Sequence, residues 1–225
     1  MPHPLADRLT GLVARRAPAE AASWLAAQLE GVGKGDQFVS AFSAAGRRLG
    51  TAAIALRDDE RLPGEDGVAL LFAGRGLDEA GRAALLLARS AALMSGHLAL
   101  ASEVFYRGEV REKQALLRAL PLLPEPAQFL DLAVEACRSS VQTVFEAIAC
   151  ENPYPADWFS QEAFNQLVLK ALFIEVSVNR IAGLARRADS ELARMATGYG
   201  SERRVAGRRV PADIDTICTL ARRDR

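Results

Sequence analysis

Histidine, cysteine and aromatic side chains are scarce in this chain of 225 residues, and each scarcity removes a class of function. His3 lies at the very start, and His97 has no His, Cys or Asp three or four positions on with which to share a metal. A lone histidine between apolar residues reads as hydrogen-bonded packing. Cys137, Cys150 and Cys218 are odd in number and have no metal-ligand spacing, so reduced thiols are expected. No histidine stands beside any of them, and no G-x-S-x-G elbow occurs, so the pattern of nucleophilic catalysis is missing. Excess charge is missing too: 28 basic residues balance 28 acidic ones, which argues against nucleic-acid binding as a primary role. No apolar run approaches the length of a membrane span, and MPHPLADRLT lacks the apolar segment of a signal peptide. A cytoplasmic location, no metal and no cofactor are the expectations.

What remains is rich in Ala and Leu, the residues that best tolerate a helix. Pro18 suits a helix start, and the segment it opens runs to Gly31. Phe38 and Phe42 stand one turn apart in the next segment. RDDERLPGEDG, Arg57 to Gly67, reads as a polar loop, and Asp78 as an N-cap for AALLLARSAALM. The second half is more regular. Phe129, Leu132, Ala133, Ala136 and Cys137 form an apolar stripe of period 3.6, as do Val141, Val144, Phe145 and Ile148. Phe164, Leu167, Val168, Ala171 and Leu172 form a third stripe. No strand alternation is visible, and connections are short. The fold expected is all-α, an α-solenoid of stacked antiparallel helical hairpins of the HEAT kind. A single helical domain over 1–225 is expected, with a plainer N-terminal part, 1–100, and a more distinctive part, 101–225.

Glycine-rich and acidic pieces carry little. GVGKGDQ lacks the phosphate-loop spacing, and GRGLDEAG fails G-x-G-x-x-G and follows no strand, so both read as turns between helices. Asp58, Asp59 and Glu60 have no second acidic cluster facing them. From Arg180 onward eleven Arg meet six Asp or Glu, a surplus of basic charge that reads as a solvated surface. Leu184, Leu192 and Met195 keep helical spacing there, as do Ile214, Ile217 and Leu220, so ordered helices are expected.

The piece that differs in kind is ENPYP, Glu151 to Pro155, with the helix after it. Its two prolines predict a rigid, non-helical corner with Asn152 and Tyr154 extended. The following helix is apolar on most sides yet carries Asn165, Gln166 and Lys170. Buried amide and ammonium groups need partners. Glu151, Asn152, Tyr154, Asn165, Gln166 and Lys170 are therefore the candidate polar cluster, either a clasp closing the corner or a ligand pocket.

YRGEVREKQALLRALPLLPEP, FLDLAVEACRSSVQTVFEAIACENPYP, FNQLVLKALF and ADSELARMA, within about Arg107 to Met195, together resemble the EboA family. The approach DWFSQEAFNQ is more polar than that family's pattern, and Leu167 stands where Met is frequent. The family has no established activity and supplies no catalytic residue. Its members are encoded beside prenyltransferase-like, sugar-phosphate-cyclase-like and hydrolase-like proteins. The resemblance thus implies a helical scaffold in making or moving a specialised metabolite, prenylated ones included, with pathway proteins or a small-molecule intermediate as partners. The alternative is an enzyme of the same pathway working at the ENPYP corner, with Glu151 as acid or base and Lys170 holding an anion.

Overall fold

The structure is a computed structural model that describes residues 4–57, 71–93 and 95–222. His3, the acidic trio Asp58, Asp59 and Glu60, and most of the expected polar loop lie outside the described residues. Among the described residues the chain is all-helical, with no strand beyond two isolated β-bridges. It divides into two compact units, 1–132 and 133–225.

The first unit opens with α1 (Pro4–Ala14), α2 (Ala19–Gly31) and α3 (Gly35–Leu49). Pro18 is the N-cap of α2, as its fixed φ suits. Phe38 and Phe42 stack at 5.2 Å between ring centroids on the buried face of α3. Then come α4 (Leu77–Ala91), α5 (His97–Arg107) and α6 (Val110–Ala119). Helix α4 is the core of this unit, buried around nearly its whole circumference and packed against α1, α2, α3 and α6. Stacked hairpins would join each helix mainly to its neighbours in sequence. Here a central helix made of Ala and Leu gathers partners from far along the chain. Gly81 permits the tightest of these approaches, since a Cβ there would overlap Leu49 Cδ1.

Asp78 is not the N-cap of α4. Gly76 holds that position, and Leu77 and Asp78 donate their backbone N–H groups to Ala52 and Gly50, each at 3.0 Å. The preceding chain already satisfies these helix-end donors, so no side-chain cap is required. Asp78 turns inward instead, against Arg82 at 2.6 Å and Arg111 Nε at 2.7 Å. Glu79 pairs with Arg118 at 2.5 Å, and both side chains are almost fully buried. Burial alone would raise Asp78, but Arg111 and Arg82 outweigh it and hold the carboxyl below its usual value. Glu79 goes the other way: burial dominates Arg118 and pushes it up. His97 shares a hydrogen bond with Ser90 Oγ at 2.8 Å, the packing role its isolation implies.

The second unit holds the end of α7 (Leu130–Cys137), then α8 (Gln142–Ala149), the short α9 (Tyr154–Trp158) and α10 (Gln161–Phe173). It continues with α11 (Leu184–Arg187), α12 (Ser190–Val205) and α13 (Asp213–Leu220). All five apolar positions of the α10 stripe are buried. Val141 is the exception in the α8 stripe: it lies outside the helix as an exposed N-cap. Among the described residues the Arg-rich end is mostly helix, with Leu184, Leu192, Ile214 and Ile217 buried and Met195 and Leu220 half-buried.

Candidate functional site

The ENPYP corner is partly helical, contrary to the expectation from its prolines. Glu151 takes a left-handed φ of 51°, and the chain then turns so that Tyr154 and Pro155 open α9. A proline in the first helical turn gives up an N–H that has no intrahelical acceptor, so it does not break the helix there. The bias against helical geometry before Pro155 is outweighed by full burial of Tyr154, whose ring meets Phe159 edge-on at 6.3 Å. Burial also pushes the Tyr154 phenol up, away from any titration near neutrality.

The later chain holds the corner in place. Glu151 N–H donates to Arg180 O at 2.8 Å, and the Arg180 fork grips both Glu151 oxygens, Nε at 2.8 Å and Nη2 at 3.1 Å. Its Nη1 reaches Glu146 at 2.7 Å. Arg187 donates to Ala156 O at 2.7 Å and Phe159 O at 3.0 Å, closing the end of α9. Gly183, at φ 74°, makes this close approach possible, because a Cβ there would lie 2.5 Å from Ala156 Cβ. Asn152 works locally: its Nδ2 donates to Ala147 O at 3.0 Å, and its Oδ1 accepts from Tyr154 N–H at 3.0 Å. The corner is therefore a platform on which residues 180–187 dock.

The other candidates have different partners. Asn165, 3% exposed, accepts from Gln161 at 2.9 Å and donates to Asp189 Oδ1 at 3.2 Å. Asp189 in turn caps α12 through Leu192 N–H at 2.7 Å. Asn165→Leu is expected to cost about 1–2 kcal/mol, since it strips one bond from each neighbour. A thermal melt indistinguishable from the parent's would refute that role. Lys170 Nζ donates to Cys137 O at 2.6 Å and Ser139 O at 2.7 Å, capping the end of α7, and lies 5.0 Å from the Phe145 ring centre. Desolvation holds its ammonium below the usual lysine value.

Of the six candidates, Gln166 and Lys170 meet at one cleft of about 650 Å³ between α7 and α10. Its walls mix apolar Val134, Phe159 and Leu167 with Arg138, Ser160 and Glu162. Ser160 caps α10 by accepting Ala163 N–H at 3.1 Å. Cys137 also lines the cleft, but desolvation pushes its thiol up to about 12, which keeps it protonated and a poor nucleophile. Val134, Arg138 and Phe159 could not be foreseen from sequence, because they come from different segments and carry no shared motif. The one local signal was Ser160 ahead of an apolar stripe. Among the described residues no group of three or more His, Cys, Asp or Glu is placed to hold a metal, and no helix is long and apolar enough to cross a membrane.

Among the described residues the fold is all-helical, and one of its features is this recess of mixed polar and apolar walls. The chain belongs to the EboA family, described as metabolite traffic protein EboA, which it matches over residues 5–218. That span reaches well beyond Arg107–Met195, into the Ala/Leu-rich first third where sequence alone offered helical character only. No curated protein and no solved structure matches the chain.

Proposed function

We propose that this protein binds a small-molecule intermediate of a specialised pathway in the α7–α10 cleft and works as a scaffold or carrier, not as a catalyst. The observation that carries this reading is the cleft itself. Its volume of about 650 Å³ falls within the range of small-molecule sites, and apolar walls lie beside two cationic side chains, Arg138 and Lys170. Such a surface suits an amphipathic anion, with a hydrocarbon part against Phe159 and Leu167 and a charged part near Arg138. The family description, a metabolite traffic protein, agrees with a cargo of this size. A prenylated cargo follows only from the family resemblance. Cytoplasmic action and pathway proteins as further partners belong to the same proposal, and none of it depends on HEAT-like stacking.

The enzymatic alternative has less support. Glu151 is held at both oxygens by Arg180, and Lys170 is engaged with two backbone carbonyls, so neither is poised for proton transfer or anion capture at the corner.

Farnesyl diphosphate is a suitable probe, with farnesol as the uncharged control. Calorimetry is expected to show the diphosphate binding and farnesol binding at least tenfold more weakly, as expected when one charge-assisted contact is lost. Gln166 is exposed on the cleft wall, so Gln166→Trp should block the cleft while leaving the melt within about 0.5 kcal/mol of the parent. Binding that survives Gln166→Trp would place the ligand elsewhere, and failure of both probes would remove the amphipathic-anion reading.

A further inference from the structure

The turn between α12 and α13 carries four arginines in seven residues, Arg203, Arg204, Arg208 and Arg209. Helix α12 ends at Val205, and Gly207 at φ 65° reverses the chain. Cations in the last turn of a helix are favoured by its dipole, which accounts for Arg203 and Arg204. Arg208 and Arg209 lie beyond the helix and gain nothing from it. Arg203 is tied into the fold, donating to Arg209 O at 2.8 Å and lying 5.9 Å from the Tyr199 ring centre. Arg204, Arg208 and Arg209 are exposed and have no acidic partner among the described residues.

Apolar side chains accompany this charge. Val205, between the two arginine pairs, is 91% exposed, far more than any other large hydrophobic residue among those described. Phe173, 54% exposed, packs at a tilt against Tyr199, 4.6 Å between centroids, and the Tyr199 ring lies next to Arg203. Leaving a branched aliphatic and an aromatic ring in water has no use for solubility. Basic side chains around an exposed apolar tip are, however, the composition of a surface that rests in a lipid headgroup layer.

We propose that this tip docks reversibly on an anionic lipid bilayer, with Arg204, Arg208 and Arg209 against headgroups and Val205 entering the interface. A duplex nucleic acid fits less well. It would call for a wider basic surface than a chain of 28 basic and 28 acidic residues offers, and it has no use for Val205. The proposal is independent of the cleft.

The test is flotation of the full chain with phosphatidylserine-rich vesicles, against pure phosphatidylcholine vesicles. Retention is expected on the anionic vesicles only, and it should weaken as salt rises. Arg208→Ser with Arg209→Ser should lower partition about 25-fold, about fivefold per arginine, as about 1 kcal/mol per basic residue implies. Arg208→Lys with Arg209→Lys should keep most of the binding. Val205→Ser should weaken it several-fold without steepening the salt dependence. All these positions are exposed, so unchanged melts would show that the variants fold. Equal partition on both vesicles, arginine variants that bind like the parent, or duplex DNA displacing the vesicles from the same arginines would each overturn the proposal.

Discussion

Arg118→Met is expected to remove about 3–5 kcal/mol of stability, the cost of breaking a buried ion pair from one side. The Arg118 and Glu79 side chains are only 2% and 6% exposed, so methionine leaves a buried carboxylate without its direct partner, with only the weaker pull of Arg75 and Arg111. The loss should depend on pH with a definite sign. Glu79 already sits above its usual value of 4.5 because burial outweighs Arg118. A carboxyl raised in the folded state takes up its proton more readily there than in the unfolded chain. Its favourable contribution is therefore complete below 4.5 and is lost as pH rises through the folded value. Removing Arg118 raises that folded value further and widens the window. Chemical denaturation of the variant should thus show a smaller deficit at about pH 5 than at about pH 7. Asp78 does not blur this result, because its lowered folded value places its loss on the acid side of 3.8. The double variant Glu79→Gln with Arg118→Met should recover much of the deficit, since the stranded charge is gone. A deficit below about 1 kcal/mol and flat in pH would mean that water reaches the pair.

How far the sequence disclosed this arrangement differs from element to element. The stripe from Phe164 to Leu172 announced a buried helix because every third or fourth residue is apolar, and that period survives any tertiary context. Local rules erred where tertiary contacts took over their task. Asp78 looked like a cap, but the carbonyls of Gly50 and Ala52 supply what a cap would, which frees the side chain for Arg82 and Arg111. Tyr154 and Pro155 looked non-helical, yet burial of the phenol ring outweighs the local cost. Asn165 and Lys170 have hydrogen-bond partners and Gln166 is exposed, but pairing these groups with Glu151 and Asn152 assumed that closeness in sequence decides. Glu151 meets Arg180, 29 residues on, and Lys170 meets the carbonyl of Cys137, 33 residues back. Distances of that kind have no periodic signature. The cleft was half legible for the same reason: Gln166 and Lys170 share a helix face, whereas Val134 and Phe159 arrive from other elements.

Lys170→Met should separate the two roles that this side chain can hold, a support for the fold and a ligand group in the cleft. Its ammonium ends α7 by taking the carbonyls of Cys137 and Ser139 at 2.6 and 2.7 Å. Each is a charge-assisted bond, worth about 1.5–3 kcal/mol when lost without replacement. Lys170 is only partly buried and the cleft admits water, so the carbonyls can rehydrate, which places the expected loss near the lower end, about 2 kcal/mol. Lys170→Arg should retain part of this, because a guanidinium can still donate to one carbonyl, although its planar fork cannot copy the ammonium's geometry. Farnesyl diphosphate binding, measured below the melting range of each variant, supplies the second readout. Lys170 donates to both carbonyls in the same cleft where Gln166 opens to solvent, so the capping role should dominate: a clear fall in stability with only a modest loss of affinity. Arg138, exposed on the same wall and paired at 3.1 Å with Glu135, is then the better cation for the diphosphate, and Arg138→Gln should weaken binding without moving the melt. The reverse pattern, a stable Lys170→Met that no longer binds and an indifferent Arg138→Gln, would make the lysine the anion-holding group and reduce its two carbonyl bonds to an incidental contact.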